Sequence, residues 1–346
     1  MNPPPEKLFQ GTVLWASPDL LLAARGTKIF RSLDRGDNWN VVADLKVDAL
    51  NWAASRQMWL RRLTRRDVHH AVQLDSGRFL VCAYRGFYLL DLSTEVALRL
   101  PEKWHGGRPL ALCAYKGRPY YGEYRDNRER SPVAVWRSDD EGRTWSQAWK
   151  FDGVRHVHGV YHDKYQDAVW VTTGDLDHEC GLWCTTDDFR SLERVAGGSQ
   201  ATRIVQPLFT RDAVLFGTDA PMEHNHLYRL DRRTGQITQQ MRVDGPVFFG
   251  SVIEGACFFS TVVEPGLGHP PPEASVWCSM DQGLTWKRIL GFRKDFLSMR
   301  WFQYGQVLFP SSQSTSSRLW LTPFATDDHQ TSMCYDLSDI TREPLS

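Results

Sequence analysis

No stretch of the sequence approaches the roughly 18 consecutive apolar residues of a membrane-spanning helix. Neither sign of charge predominates: 41 Lys and Arg stand against 41 Asp and Glu. The basic footprint of a nucleic-acid binder is therefore missing, as is a polybasic segment for a membrane surface. So neither nucleic acid nor membrane is expected as a partner. Glycine loops of the phosphate-cradling or dinucleotide type are absent too, which argues against a nucleotide cofactor. The seven cysteines (Cys82, Cys113, Cys180, Cys184, Cys257, Cys278 and Cys334) form no tight framework and are odd in number. Reduced thiols fit that pattern better than a disulfide scaffold. Cys180 and Cys184 could be a redox or metal pair, but buried structural thiols are the simpler account. The opening MNPPPEKLFQG has no basic region followed by an apolar one. No secretion signal is expected from it, and a cytoplasmic location is.

What remains is a neutral chain of 346 residues, 42% hydrophobic and rich in aromatics with 14 Trp. That is enough apolar material for a substantial core. Three segments match one another: FRSLDRGDNW (30–39), WRSDDEGRTW (136–145) and WCSMDQGLTW (277–286). A fourth, WCTTDDFRSL (183–192), keeps the leading aromatic, a hydroxyl residue and the Asp but lacks the Gly and the closing Trp. Following the leading aromatic gives the series Phe30, Tyr88, Trp136, Trp183, Tyr228, Trp277 and Trp320, at intervals of 43 to 58 residues. This is the period of a four-stranded propeller blade. An all-β fold is expected, a seven-bladed β-propeller with six blades as the alternative, spanning residues 1–346 as one domain and closing across the two chain ends. The stretch 44–67 lengthens the first interval and carries Trp52, Trp59, Leu60 and Leu63 at helical spacing. A short helix or cap over one face is expected there, with a partner-binding helix as the alternative.

The Ser-x-Asp-x-Gly-x-Thr-Trp pattern reads as a hairpin turn between third and fourth strands. Ser and Asp can bond turn amides, Gly permits a positive φ, and Trp packs beneath. On Ser32/Asp34/Gly36/Trp39, Ser138/Asp140/Gly142/Trp145 and Ser279/Asp281/Gly283/Trp286, the sequence resembles the Asp-box, or bacterial neuraminidase repeat, of the sialidase-like propellers. That resemblance implies structural turns on the outside of the ring and leaves function open. The early Arg-Ile-Pro motif of true sialidases is absent, which puts sialidase activity itself in doubt.

In a propeller, the starts of innermost strands and the ends of second strands meet at one face. Second strands here end in Glu123, Asp175, Asp219 and Glu264, and innermost strands begin with His69, His70, Arg155, His156, His158, Gln200, Arg203 and Gln206. Blade one offers almost nothing ionisable at the equivalent places. A wet channel mouth accounts for some of this; a ligand site accounts for its concentration in a few blades. Three chemistries fit. His156 and His158, spaced to share one side of a strand, could act as acid/base groups or hold a divalent transition metal with Gln200, His69 or His70, and His224 or His226. Glu123, Asp175, Glu179, Asp219 and Glu223 offer carboxylate pairs for acid/base cleavage of a glycoside. Arg155 and Arg203 could grip the carboxylate of an acidic sugar, with Tyr124, Gln200, Glu179 and Asn225 as further contacts. The His156/His158/Gln200 grouping resembles in kind the metal site of oligouronide lyases, also built on seven-bladed propellers. The expectation is a hydrolase or lyase acting on an acidic or complex glycan; the alternative is a non-catalytic glycan-binding or scaffold propeller.

Overall fold

The computed structural model describes residues 2–266, 271–313 and 317–341. Seven four-stranded antiparallel sheets form the blades of a β-propeller. Six run outward in chain order, beginning with Thr12–Ala16, Leu21–Arg25, Lys28–Ser32 and Asn40–Asp44. The seventh is composite. Gln306–Leu308 is innermost, then Arg318–Phe324 and Thr331–Asp336, and the N-terminal strand Lys7–Gln10 completes the outside, with Lys7 opposite Cys334 and Gln10 opposite Thr331. The two ends of the chain thus share one sheet, which removes the free edges that an open ring would expose.

Second strands are the most apolar, as in AVWVTTG (168–174) and ACFFST (256–261), because each is covered on both faces by neighbouring blades. Outermost strands such as ERVAG (193–197) meet water and are largely exposed. The three Ser-x-Asp-x-Gly turns join third to fourth strands and have the same internal bonds. In the sixth blade, Ser279 Oγ donates to Asp281 Oδ1 (2.8 Å), Gly283 N donates to Ser279 Oγ (2.8 Å), and Thr285 N donates to Asp281 Oδ1 (2.9 Å). The glycines are needed twice over. Their φ values are +92, +88 and +85° at Gly36, Gly142 and Gly283. A Cβ there would also lie 2.7 Å from Trp320 Cζ2, 2.8 Å from Leu80 Cδ1 and 2.4 Å from Leu215 Cδ2 respectively. Each of those side chains belongs to the second strand of the preceding blade, so the turn is a blade-to-blade contact.

This arrangement corrects one marker in the repeat. Trp320 lies on the second strand of the seventh blade, whereas Phe30, Tyr88, Trp136, Trp183, Tyr228 and Trp277 lie on third strands. The count of seven blades stands, but the seventh was located by an aromatic that plugs the first blade's turn. The degenerate fourth copy keeps its turn: Phe189 N donates to Thr185 Oγ1 (3.2 Å), and Phe189 takes the glycine position at φ +65°. Its buried ring packs 5.8 Å from Tyr120, on the second strand of the preceding blade, and replaces by side chain what the others achieve by backbone approach.

Two helices, Ala49–Arg56 and Met58–Thr64, enter between the first and second blades, and a short one, Met299–Phe302, enters between the sixth and seventh. Both insertions precede innermost strands and so lie at the same end of the ring. No helix among the described residues is long and apolar enough to cross a membrane.

Candidate functional site

The innermost strand of the fourth blade, His156–Asp163, faces the second strand Ala168–Gly174. Its register slips between Val157 and Gly159, leaving His158 as the extra residue of a β-bulge. Strict alternation therefore does not orient the two imidazoles; the bulge does, as bulges near sites commonly re-aim side chains. The rings converge nonetheless, with centroids 5.0 Å apart. Gly174 makes the space, since a Cβ there would stand 2.7 Å from His158 Cε1.

Both rings aim at Asp175, which follows the second strand. His156 Nε2 is 3.4 Å and His158 Nε2 3.6 Å from Asp175 Oδ1. Two guanidiniums reach the same carboxylate: Arg203 Nη2 at 3.1 Å from Oδ1 and Arg155 Nη1 at 2.7 Å from Oδ2. Burial alone would raise the Asp175 pKa, but hydrogen bonds from His156 and His158, with the Arg203 charge, hold it far below the usual carboxylate range. Asp175 is therefore ionised at any ordinary pH.

Arg203 links this carboxylate to a second one of opposite character. Its Nε lies 3.3 Å from Asp219 Oδ2. Asp219 is 6% exposed, and burial pushes its pKa up to about 7 against the pull of Arg203 and His158, with the charges of Glu264 and Asp175 adding to the rise. Burial raises Glu264 as well; it accepts a hydrogen bond from Tyr304, while its Oε2 is buried without a hydrogen-bond partner. Tyr124 closes the other side with its ring 4.2 Å from His156, and burial followed by the charges of Asp175 and Asp219 raises its phenol to about 12. Tyr124, Asp175, Asp219 and Glu264 thus lie within three residues of the ends of the second strands of four successive blades.

The other residues singled out from the sequence serve the loops around this cluster. Glu123 accepts from Arg125 Nε (2.7 Å) and Ala134 N (3.2 Å). Glu179 is buried, accepting from Arg130 Nε (2.6 Å) and Asp175 N (3.0 Å). Asn225 ties its own loop through Thr218 and Ala220. Gln200 gives its amide to the Asp175 carbonyl and to Asp177 (2.9 Å each). His69 contacts Arg108 (3.2 Å) on the wall of a central cavity of ≈ 440 Å³, which it lines with His70 and Gln206. Glu223 and His224 are exposed. Arg155 and Arg203 do not stand open as grips, since both already engage carboxylates. All seven cysteines are free thiols.

Tyr304 and Gly174 were not anticipated. Tyr304 precedes the innermost strand of the seventh blade, where no repeat marker fixes the alignment. Gly174 announces itself only once the bulge is seen.

Among the described residues, His156, His158 and Asp175 are the one group that brings three potential metal-ligating atoms together, within 4.8 Å of one another. His156 Nδ1 faces the Arg125 carbonyl (3.2 Å) and His158 Nδ1 faces the Ile204 carbonyl (2.8 Å), the kind of outer contact that orients metal ligands. A divalent ion would nevertheless share Asp175 with two guanidiniums, and like charges a few ångströms apart in a buried site repel by several kcal/mol (about 4 at 4 Å with an effective dielectric near 20). Each ring has an oxygen before both nitrogens, although Nε2 of buried His156 makes no hydrogen bond. The donor set fits a hydrogen-bonded carboxylate better than a metal.

No protein-family model matches the chain, and no curated protein matches it by sequence. Among solved structures it is similar to a GH74 enzyme of Niastella koreensis (12% identity, TM-score 0.61, 97% of this chain and 53% of that one) and to the GH74 xyloglucanase of Xanthomonas campestris (13%, 0.54, 97% and 55%). The chain thus spans about half the length of these two enzymes. It is also similar over nearly its whole length to YCF48 bound to D1 peptide (10%, 0.60, 99% of each chain). At such identities the likeness is one of fold: a β-propeller, on which both enzymes and binding proteins are built.

Proposed function

We propose that the protein cleaves a glycosidic bond in an acidic glycan at the channel mouth between the third and sixth blades. One observation carries this reading. Asp175 and Asp219 share Arg203, yet their surroundings drive their acidities in opposite directions. Carboxyl pairs separated in this way divide acid and base roles between them. Asp219, poised near neutrality, is the proton carrier at the leaving oxygen or the sugar carbon. Asp175 stays charged and fixes the guanidiniums and imidazoles around it. The guanidiniums of Arg155 and Arg203 are met by Asp126 and Asp175, so an anionic sugar group would exchange with one of these carboxylates.

The xyloglucanase likeness makes a glycan reasonable but does not specify one. Wild type and Asp219→Asn would be incubated with uronate-containing oligosaccharides. A new reducing end without a conjugated double bond marks hydrolysis, and an ultraviolet-absorbing unsaturated product marks elimination. Loss of either signal in Asp219→Asn, with sugar binding retained, is expected. Binding without turnover in both proteins would favour the second reading, a non-catalytic propeller of the kind that YCF48 with its bound peptide exemplifies.

A further inference from the structure

The two insertions at the end of the ring that carries the site form a single ledge. Buried Arg62, on the second helix, donates from Nε to the Phe302 carbonyl (2.8 Å) and pairs with Asp295, while Gln303 Nε2 donates back to the Arg62 carbonyl (3.0 Å). With the arginine turned inward, the apolar residues turn out. Leu50, Trp52, Trp59, Leu63, Phe296 and Trp301 are all exposed, Phe296 by 95%. So many large apolar side chains exposed on two adjoining insertions mark an interaction surface.

Their electrostatic setting is one-sided. Residues 49–66 and 296–304 contain no Asp or Glu, although the whole chain is neutral. Arg56, Arg65, Arg293 and Arg300 are exposed in or beside them. Arg56 lies over the Trp52 ring (3.8 Å) and Arg300 over the Trp301 ring (5.2 Å), so cations and indoles present themselves together. Of the neighbouring carboxylates, Asp295 pairs with Arg62 and Lys294 and Asp67 with Arg61 (3.4 Å), while exposed Asp48 keeps its charge and caps the first helix through Asn51 N (2.8 Å).

We propose that this ledge docks on an anionic lipid bilayer. Indole and guanidinium groups suit the headgroup layer, where arginines meet phosphates, while leucine and phenylalanine enter the acyl boundary. Leu50 and Leu63 would add nothing to stacking on a sugar ring. A lipid surface supplies negative charge beside apolar depth, which complements the exposed indoles, leucines and arginines of the ledge.

The test uses the full chain in co-sedimentation with vesicles of phosphatidylcholine alone and of phosphatidylcholine with phosphatidylserine. Partitioning to the anionic vesicles, falling as salt rises, is expected. Arg56→Ala with Arg300→Ala should weaken it by tenfold or more, at roughly fivefold per arginine near the surface. Trp59→Ala with Trp301→Ala should reduce it at least as far. Phe296→Ala, outside any helix, provides a readout should the tryptophan pair fail to fold. No binding, equal binding to neutral vesicles, or binding that these changes leave intact overturns the proposal. So does self-association in solution that the tryptophan changes abolish, which would assign the ledge to a second copy.

Discussion

Changing Asp219 to Asn should stabilise the protein at alkaline pH and do nothing for it in acid. The carboxyl rises from an ordinary 3.8 to about 7 because it is buried. A carboxylic acid whose folded pKa is raised contributes fully below the unfolded value, where both states hold the proton. That contribution fades as pH climbs towards 7, because the unfolded chain ionises freely while the folded one resists. At 1.36 kcal/mol for each pH unit, the loss reaches about 4 kcal/mol above pH 7. Asn carries no charge to resist, so the variant escapes the loss, less whatever the Arg203 contact contributed. Asp175→Asn should behave in the opposite way. Its folded pKa is depressed, so its contribution is present above 3.8 and disappears as acid is added. Removing it leaves Arg155, Arg203 and both imidazoles without their shared anion, at a cost of about 3–5 kcal/mol near neutrality. Urea unfolding of all three proteins from pH 2 to 8 measures both effects, the Asp219 effect between about 4 and 7 and the Asp175 effect below 3.8. The difference between Asp219→Asn and wild type should widen with pH, and that between Asp175→Asn and wild type should narrow as pH falls. Two differences that run parallel with pH would refute the assignment of opposite environments.

Phe189→Gly relieves a positive φ worth about 1–2 kcal/mol but empties a buried aromatic site worth about 3–5, so a net loss of roughly 2 kcal/mol is expected by chemical denaturation. Gly174→Ala should leave the propeller folded yet displace the His158 ring, since the added methyl meets Cε1 at 2.7 Å; an unmoved His158 proton resonance would contradict that. Arg232→Ala strands Asp163, which is wholly buried and paired with it at 2.7 Å between the fourth and fifth blades, and about 3–5 kcal/mol of destabilisation is expected from thermal or urea unfolding. Elemental analysis of the purified protein should find no stoichiometric transition metal, and a metal lost on changing His156 and His158 to Ala would reverse the reading of those rings.

The fold was legible because its repeat is written in residues that recur for one physical reason. A turn that approaches the preceding blade needs Gly for space and φ, and Ser and Asp to hold its amides, so the same letters return wherever the same contact does. Where the contact is made differently, the letters change. Phe189 replaces Gly by bringing a ring to Tyr120, and the copy looked degraded although its turn is intact. Trp320 misled in the other direction, since it is the side chain that receives a turn and not the one that leads into it.

The site was legible by column but not by contact. Reading the ends of second strands found Asp175 and Asp219, because topology alone brings those positions to one face. It also selected Glu123, which has the right column and turns instead to Ala134 and Arg125, and no spacing rule distinguishes these outcomes. His156 and His158 were paired by alternation, whereas a bulge and the missing side chain of Gly174 orient them. The ledge was legible in part: 44–67 stood out as a helix or cap, and 296–304 did not. Its extent is visible only when 49–66 and 296–304 are read together, and they adjoin because Arg62 reaches Phe302 and Asp295 across 230 or more residues of chain. The first segment carries five arginines and no acidic residue, while the second adds only Arg300 and has no pattern of its own. Surfaces assembled from separate insertions on a repeat fold should therefore be sought by comparing what each loop at one face lacks, as well as what it carries.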